Sequence, residues 1–315
     1  MRADAEPELS VVAPLHNEEE TAQRLFEAIR AAMEPLGRPF EVLLVNDGSS
    51  DSTGEILDRL AEEDPRLRPV HLDGNFGEAA ALCAGFDQSR GRIVLTLDGD
   101  LQNDPADLPR LLELLETRGY RAVSGWRRKR QEAFASRVLP SVAANWLISR
   151  VTGVPSRDNG CGLKAYRAEV VRGVYLPHGL HRFMPAVFGV RAPEFGQVEV
   201  MDRRRQSGRS HYGLSRFFAV LRDLTIVRYL PAHADRGMAH ATFLGAAAVL
   251  LAAAALHSSI WLDVAALLCG LYAGCMAANL RRWDQAQREK TFRLRRSASR
   301  VGRCAAASAR ERTRA

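Results

Sequence analysis

Cysteine is scarce in this 315-residue chain, and its five cysteines include no Cys-x-x-Cys pair. Their spacing fits neither a zinc site nor a disulfide framework, which indicates a reducing compartment. The chain also lacks Gly-x-Gly-x-x-Gly after its first apolar run and has no Gly-x-x-x-x-Gly-Lys-Ser/Thr loop, so dinucleotide-binding dehydrogenases and P-loop nucleotide hydrolases are disfavoured. The residues before Glu8 are polar and acidic, so we expect no cleavable signal peptide.

Positive charge is unevenly distributed along the chain. The full sequence has a net charge of +7, yet residues 281–315 alone hold 12 Lys/Arg and 3 Asp/Glu, a net +9. The rest of the chain is therefore slightly acidic. Because this basic tail is poor in aromatic residues and follows a long apolar region, we expect it to contact anionic lipid rather than nucleic acid.

Two apolar runs near the C-terminus are each long enough to cross a bilayer. Residues 238–256 and 260–280 would each span roughly 30 Å as helices, which matches the hydrocarbon thickness. Arginines flank the outer ends of both runs, and the short turn between them has none. The positive-inside rule then predicts a two-helix transmembrane hairpin with both termini in the cytoplasm. A buried helical hairpin is the alternative, because both runs are rich in Ala.

Short apolar runs alternate with amphipathic helical patterns in the first half of the chain. The helical pattern after the first run, for example, places Leu25 and Ile29 on one face. This alternation predicts an α/β fold, with a mostly parallel sheet covered by helices on both faces and functional groups at the carboxyl ends of its strands. The strands are predicted at residues 9–13, 41–45, 67–72, 93–97 and 122–125.

Polar clusters follow three of the predicted strands. Each cluster alone is common in turns. Three of them at the same edge of one sheet, however, predict a convergent site. The clusters are Pro14-Leu-His-Asn-Glu-Glu-Glu after the first strand, Asn46-Asp47-Gly-Ser-Ser after the second and Asp98-Gly-Asp100-Leu-Gln102 after the fourth.

Asp98 and Asp100 carry the clearest chemistry of this predicted site. Two carboxylates one residue apart at a strand end can present oxygens to one divalent cation, and such hard ligands favour Mg²⁺ or Mn²⁺. A cation of this kind can bridge a substrate diphosphate and neutralise the charge that develops when the diphosphate leaves. The alternative is a solvated acidic turn before the helix that Pro105 opens.

Several motifs together resemble the nucleotide-sugar half of family 2 glycosyltransferases with the GT-A fold, which is Rossmann-like. The resemblance rests on the three strand-end clusters and on the segment NFGEAAALCAGFD from Asn75, and it covers roughly residues 8–230. Later segments narrow it to polyprenyl-phosphate glycosyltransferases, the branch similar to dolichol-phosphate mannosyltransferase. These segments are SGWRRKRQ from Ser124, RDNGCGLKAYR from Arg157 and RRRQSGRSHYGLSR from Arg203.

This resemblance implies roles for individual residues. The first two clusters would bind the donor nucleoside, the Asp-x-Asp cluster would bind metal and substrate, and later arginines would bind phosphate. The donor-binding residues are Pro14, Asn17, Glu18 and Asp47, and the metal-binding residues are Asp98, Asp100 and Gln102. The phosphate-binding residues are Arg127, Arg137, Arg205, Gly208 and Ser210, and Asp158 is placed near the acceptor. Asp100, Asp158, Arg127 and Arg205 form the implied catalytic set.

The resemblance implies a membrane-bound, inverting glycosyltransferase at the inner (cytoplasmic) membrane. The phosphate of an undecaprenyl or dolichyl phosphate would attack the anomeric carbon of a nucleotide diphosphate sugar at the cytoplasmic leaflet. A UDP-sugar is the preferred donor, GDP-mannose is the alternative, and homo-oligomer formation stays open. The expected parts are a GT-A catalytic domain at residues 1–216, a juxtamembrane amphipathic helix at 217–236, a transmembrane hairpin at 237–280 and a basic cytoplasmic tail at 281–315.

Two other functions share much of this pattern. A processive polysaccharide synthase resembles the same N-terminal half, but it carries Gln-x-x-Arg-Trp before its later spans. The nearest string here is Asn279-Leu-Arg-Arg-Trp283, which has Asn in place of Gln and lies at the end of the second apolar run rather than before the runs. A non-catalytic, membrane-tethered scaffold would also keep the fold, although the intact Asp-x-Asp pair argues against it.

Overall fold

A seven-stranded sheet forms the centre of the protein. The computed structural model describes residues 6–127, 139–177, 179–201, 223–224, 227, 241, 244–248, 260–289 and 292–294. Its strands are β1 (Leu9–Leu15), β2 (Phe40–Asn46), β3 (Val70–His71), β4 (Ile93–Thr96), β5 (Ala122–Arg127), β6 (Lys164–Arg167) and β7 (Phe195–Val200). Each of the five predicted strands corresponds to one of these, and β6 and β7 were not predicted.

The sheet is mixed, with strand order β3-β2-β1-β4-β6-β5-β7. Strand β6 is antiparallel to both of its neighbours, and every other pair is parallel. The expectation of a mostly parallel α/β sheet is thus confirmed, with one reversed strand added. Because β6 runs against β4 and β5, it begins at the edge where those two strands end. The residues just before β6 therefore lie beside the predicted site.

Helices cover both faces of this sheet and divide its core in two. Alternate residues of one strand enter different cores, so that Val12 packs on the α3 side and Val11 on the α1 and α4 side. A Cβ on Gly85 would lie 2.3 Å from a Val12 methyl, so glycine lets α3 approach β1 closely. The helices are α1 (Ala22–Met33), α2 (Thr53–Glu63), α3 (Glu78–Gln88), α4 (Leu108–Thr117), α5 (Leu139–Thr152), α6 (Ala168–Val171), α7 (Met184–Val187) and α8 (Ile260–Arg288).

A buried carboxylate on β2 holds together the sheet edge opposite the predicted site. The side chain of Glu41 is almost completely buried, and Ser10 Oγ donates to it at 2.7 Å. Arg68 Nη1 approaches it at 2.5 Å, and the Arg90 backbone N–H donates at 2.6 Å. Burial would raise the pKa of Glu41, but these donors outweigh it and hold the pKa below the ordinary 4.5.

Replacing Glu41 with Gln is expected to lower the free energy of unfolding at pH 7 by about 2 kcal/mol, because a charge-assisted network is lost. A folded-state pKa below the ordinary value adds stability above pH 4.5, and this stability is lost as the pH falls through the folded pKa. The difference in the free energy of unfolding between wild type and Glu41→Gln, measured by urea titration, should therefore become smaller below pH 4.5. Glu55→Gln, at an exposed position on α2, is the control. Equal stability of Glu41→Gln and wild type at pH 7 would contradict this account.

Helix α8 is the one helix of the described residues that is long and apolar enough to cross a membrane, with residues 264–288 meeting that criterion. The second predicted span, residues 260–280, is thus a helix as expected. Most of the first predicted span, residues 238–256, lies outside the described residues, so the hairpin stays an expectation. The juxtamembrane helix predicted at residues 217–236 lies almost entirely outside them as well.

The C-terminal end of α8 packs on the α/β domain. Met276, Leu280 and Trp283 are buried in the same core as α3. The helix continues to Arg288, eight residues beyond the predicted end of the span at residue 280. The reason is that its last two turns find an apolar surface on the domain, which a pattern of hydropathy alone does not reveal.

Candidate functional site

The first two polar clusters meet at the carboxyl edge of the sheet and hold each other in place. The Asp47 N–H donates to the Leu15 carbonyl at 2.9 Å, which fastens the loop after β2 to the end of β1. Asn17 has a positive φ of 55°, and its Oδ1 accepts from the Ser50 N–H at 2.8 Å. The Glu18 N–H donates to Thr53 Oγ1 at 2.9 Å. In this structure, Asn17 and Glu18 thus join the two loops, which is a role that sequence reasoning did not assign to them.

Asp47 is buried where the loop before α3 crosses the end of β2. Its two carboxylate oxygens accept from the Phe76 and Gly77 backbone N–H groups, each at 2.8 Å. The same loop packs against Gly48, where a Cβ would lie 2.3 Å from the Gly74 carbonyl carbon. Asp47 therefore shapes the predicted nucleoside pocket by fixing the loop at residues 73–77, and each oxygen keeps a further lone pair for a ligand.

Pro14 lies within β1 and faces the third cluster from the neighbouring strand. Its carbonyl would lie 2.5 Å from a Cβ on Gly99, so only glycine fits between the two aspartates of the Asp-x-Asp pair. This close approach brings the end of β4 against the end of β1. The third cluster thus joins the first two, as the sequence predicts for strands that end at a shared edge.

The Asp98 carboxyl lies in a strongly perturbed electrostatic environment. Burial, together with the neighbouring carboxylates of Glu78 and Asp100, raises its pKa to about 7, although Lys164 and Arg127 act in the opposite direction. Asn103 Nδ2 donates to Asp98 Oδ2 at 2.8 Å and fixes its orientation. Crowded carboxylates of this kind are stabilised by a bound cation.

The donor set fits a hard divalent cation that shares its ligands with a substrate. Asp100 Oδ1 accepts from the Gln102 N–H at 3.1 Å, which holds that loop in a tight turn beside Asp98. Among the described residues, no three His, Cys, Asp or Glu side chains are grouped to hold a metal ion. Mg²⁺ and Mn²⁺ need no such cage, because one or two carboxylates with water and phosphate oxygens suffice.

Arg127 and Asp158 form a two-point ion pair across the site. Arg127 Nε lies 2.8 Å from Asp158 Oδ2, and its Nη2 lies 3.2 Å from Oδ1. Nη2 also donates to the Gly160 carbonyl at 3.2 Å. Only 4% of the Asp158 side chain and 14% of the Arg127 side chain are exposed. Sequence reasoning placed Arg127 at a substrate phosphate and Asp158 near the acceptor, but it did not predict that the two residues bind each other.

Sequence reasoning missed three residues that surround the Asp-x-Asp pair. Lys164, at the start of β6, is buried, and its Nζ donates to the Cys161 carbonyl. Burial raises the pKa of the Cys161 thiol to about 12, so it stays protonated and can donate to Asn103 Oδ1, 3.7 Å away. The sequence signal that could have found these residues is a lysine within an otherwise apolar run. Such a lysine is expected to be buried, and a buried cation needs a charged partner.

Four predicted phosphate-binding residues lie outside the described residues: Arg137, Arg205, Gly208 and Ser210. Their roles remain those that the resemblance implies.

A methyl group on Gly162 is expected to displace the Asp98 carboxylate, because an added Cβ would lie 2.2 Å from its Oδ1. Because the carboxylate can rotate away, we expect the substitution to weaken metal binding more than it destabilises the fold. We expect the Mn²⁺ concentration for half-maximal thermal stabilisation to rise at least about tenfold in Gly162→Ala. Gly160→Ala is the matched control, since its Cβ would lie 3.6 Å from Arg127 Nη2, an ordinary contact. The same Mn²⁺ dependence in both variants would contradict the placement of Asp98 at the metal.

Solved structures with this fold include two phosphoglycerate-glycoside synthases, namely a glucosyl- and a mannosyl-3-phosphoglycerate synthase. The chain is similar to glucosyl-3-phosphoglycerate synthase from Mycobacterium tuberculosis in complex with Mn²⁺, UDP-glucose and phosphoglyceric acid, with a TM-score of 0.52 and 21% identity over 73% of this chain and 82% of that one. It is also similar to mannosyl-3-phosphoglycerate synthase from Rubrobacter xylanophilus, with a TM-score of 0.53 and 20% identity over 70% and 73% of the two chains. At this level of identity, the likeness shows a GT-A-type fold, and the bound Mn²⁺ and UDP-glucose are properties of the mycobacterial structure.

Sequence comparison gives nearer relatives. Dodecaprenyl-phosphate galacturonate synthase of Rhizobium johnstonii is 44% identical over 225 residues, which are 70% of this chain and 67% of the relative. Undecaprenyl-phosphate 4-deoxy-4-formamido-L-arabinose transferase of Pectobacterium carotovorum is 38% identical over 69% of this chain and 66% of its own length. The chain thus spans about two thirds of these relatives. The model of the family described as Glycosyl transferase family 2 matches residues 10–174. Because that match covers more than half of the chain, the chain belongs to glycosyl transferase family 2.

Proposed function

We propose that this glycosyltransferase moves a sugar from a nucleoside diphosphate sugar to polyprenyl phosphate at the cytoplasmic face of a membrane. The observation that carries the proposal is the juxtaposition, at one sheet edge, of crowded carboxylates with buried cations. The charged groups that act on the pKa of Asp98 are the carboxylates of Glu78 and Asp100 and, in the opposite direction, the cations of Lys164 and Arg127. This arrangement suits a metal-bound diphosphate next to a second phosphate. The names of both relatives begin with a polyprenyl phosphate, which supports polyprenyl phosphate as the acceptor.

The donor nucleoside would lie against the loops that end β1 and β2. His16 Nδ1 lies 2.9 Å from the Asp47 carbonyl, and Asn75 Nδ2 lies 3.0 Å from His16 Nε2, so these side chains form a polar wall beside Asp47. We propose uridine as the base. The UDP-glucose bound in the mycobacterial structure supports this choice, and GDP-mannose stays the alternative donor.

The proposed reaction is a single displacement with inversion. An oxygen of the acceptor phosphate attacks the anomeric carbon, the bond from that carbon to the donor diphosphate breaks, and the nucleoside diphosphate leaves with the bonding electrons. Because a phosphate monoester is largely ionised at neutral pH, the attacking oxygen needs little help from a general base. The partly buried guanidinium of Arg127 would orient a phosphate, while Asp158 keeps that guanidinium in place.

A divalent cation would be held by Asp98 and Asp100, with Gln102 in the same turn. When bound, it would neutralise the charge on the leaving diphosphate. The Mn²⁺ in the mycobacterial structure supports this assignment.

Helix α8 would attach the enzyme to the membrane that holds its lipid substrate. The side chains of Leu267, Leu268 and Leu271 are 58–62% exposed and share one side of the helix. Apolar surface of this extent on a long helix suits the hydrocarbon core of a bilayer. The C-terminal end of α8 packs on the catalytic domain, which would hold the site near the lipid surface. A location in the inner membrane, with both termini in the cytoplasm, remains part of this proposal.

Measuring nucleoside diphosphate release from detergent-solubilised full-length protein tests the proposal. The assay would contain Mn²⁺ and undecaprenyl phosphate, with UDP-galacturonic acid, UDP-glucose and GDP-mannose as separate donors. We expect release with one donor, strictly dependent on the lipid phosphate, together with a glycolipid product. Transfer into long water-soluble polymer would favour a polysaccharide synthase, and no release with any donor would favour a scaffold.

A further inference from the structure

The segment after the apolar helix returns to the sheet. We call residues 292–294 the C-terminal strap. The Asp73 N–H donates to the Arg293 carbonyl at 3.0 Å, and Leu72 forms an antiparallel bridge with Leu294. Both partners lie directly after β3, the edge strand of the sheet. The basic tail predicted at residues 281–315 therefore includes a short addition to the sheet.

Phe292 anchors the strap in the hydrophobic core. Its side chain is only 4% exposed, and its ring centroid lies 6.2 Å from that of Tyr175. Tyr175 in turn binds α3, because its hydroxyl donates to Asp87 Oδ2 at 2.8 Å. The Tyr175 N–H donates to Gln287 Oε1, at the last turn of α8, at 3.2 Å. The end of α8 and the strap thus form one unit with α3.

On its other side, the strap adjoins the loop at residues 73–77. Asp73, whose N–H the strap binds, is the first residue of this loop. Gly74 packs on Gly48, and the Phe76 and Gly77 N–H groups bind Asp47. A hydrogen bond from the Asp73 N–H therefore connects the strap directly to the loop beside the proposed nucleoside pocket.

We propose that the C-terminal strap positions the loop at residues 73–77 and so couples the attachment of α8 to donor binding. Phe292 and the Arg293 carbonyl are positioning groups and touch no substrate. Without them, the loop would sample more conformations, and the binding-competent fraction would fall, which weakens apparent affinity by the same factor. The inference rests on the proposed function in one respect, namely that this loop faces the donor nucleoside.

Two truncations of the full-length protein test the coupling. A stop after Lys290 removes the strap, whereas a stop after Arg296 keeps it and removes most of the basic tail. We expect amide hydrogen exchange in the peptide covering residues 73–77 to be at least about tenfold faster after the first truncation and unchanged after the second. Exchange in α4, on the opposite face of the sheet, is the internal reference and should not change.

Two single substitutions compare the buried anchor of the strap with an exposed side chain of the same strap. Phe292→Ala removes a buried ring, while Leu294→Ala shortens a side chain that is 43% exposed. We expect Phe292→Ala to reproduce the faster exchange at residues 73–77 and Leu294→Ala to resemble wild type. In Mn²⁺, the Kd for UDP should rise at least about threefold in Phe292→Ala, with the donor KM following it and kcat nearly constant.

The outcomes separate this inference from the proposed function. Unchanged exchange at residues 73–77 without the strap would overturn the coupling, whether or not the enzyme transfers sugar. Faster exchange with an unchanged UDP affinity would overturn it as well, because the loop would then not limit donor binding. If wild type bound no UDP, the uridine assignment would fail, and the exchange experiment alone would decide whether the strap positions the loop.

Discussion

Asp100→Ala is expected to lower turnover at least about 100-fold, since about 3 kcal/mol of stabilisation of the leaving diphosphate is lost with a metal ligand. The carboxylate lies in a partly exposed turn, where it accepts a hydrogen bond from the Gln102 N–H. Removing it should therefore change the unfolding temperature by no more than about 2–4 °C. The measurement is nucleoside diphosphate release at saturating donor and lipid, together with a thermal melt of the same preparation.

Asp104→Ala is the matched control for Asp100→Ala. Asp104 lies four residues further along the same loop, and its side chain caps the following turn by accepting from the Ala106 N–H at 3.1 Å. Its loss should cost about 1 kcal/mol of stability and little activity. More than about a tenth of wild-type turnover in Asp100→Ala would remove Asp100 from the metal site. Recovery of activity at higher Mn²⁺ would instead indicate that Asp98 shares the ligation.

The second large effect concerns the ion pair between Arg127 and Asp158. Removing either residue takes the ion-pair partner away from a charge that is almost buried. Each alanine substitution should therefore lower the free energy of unfolding by about 3 kcal/mol. The double variant should be more stable than the sum of the two changes predicts, by about 0.5–3 kcal/mol. Turnover should fall in all three variants by similar factors, because Asp158 acts through Arg127.

A surface ion pair beside the same strand provides the control. Arg121 precedes β5 at the end opposite the site, and its Nη1 lies 3.5 Å from Glu194 Oε1 with both side chains about one third exposed. Arg121→Ala should cost less than about 1 kcal/mol and leave turnover unchanged. Additive losses of stability in the Arg127 and Asp158 variants would show that the two residues act separately. Asp158 would then return to the acceptor role that the sequence suggested.

The strand-end clusters show how much of the site could be predicted from the sequence. A parallel sheet places the ends of its strands at one edge, so the residues after β1, β2 and β4 had to converge once those strands were recognised. The Asp-x-Asp pair is where the sequence predicted it. The contacts of Asn17 and Asp47 are different, because both bind backbone groups of neighbouring loops. A residue type in a loop does not reveal whether its partner is the protein or a substrate.

The reversed strand β6 marks the limit of prediction for the site. Its four residues, Lys164–Arg167, are too short to give a periodic signal, and one of them is a buried lysine. Because β6 inserts between β4 and β5, it brings Gly162 against Asp98 and Asp158 against Arg127. These contacts join residues that are 64 and 31 positions apart, respectively, and depend on strand order, which local patterns do not contain.

By itself, the sequence determined the alternation of strands and helices, the Asp-x-Asp pair at the end of β4 and the apolar character of α8, because burial periodicity and composition are local properties. The tertiary structure alone decided which side chains face one another. It paired Arg127 with Asp158, placed Lys164 beside the acidic cluster and returned Phe292 to the core more than 200 residues after β3. Such contacts are fixed by the order and register of packed elements, which arise only when distant segments bury their apolar faces together.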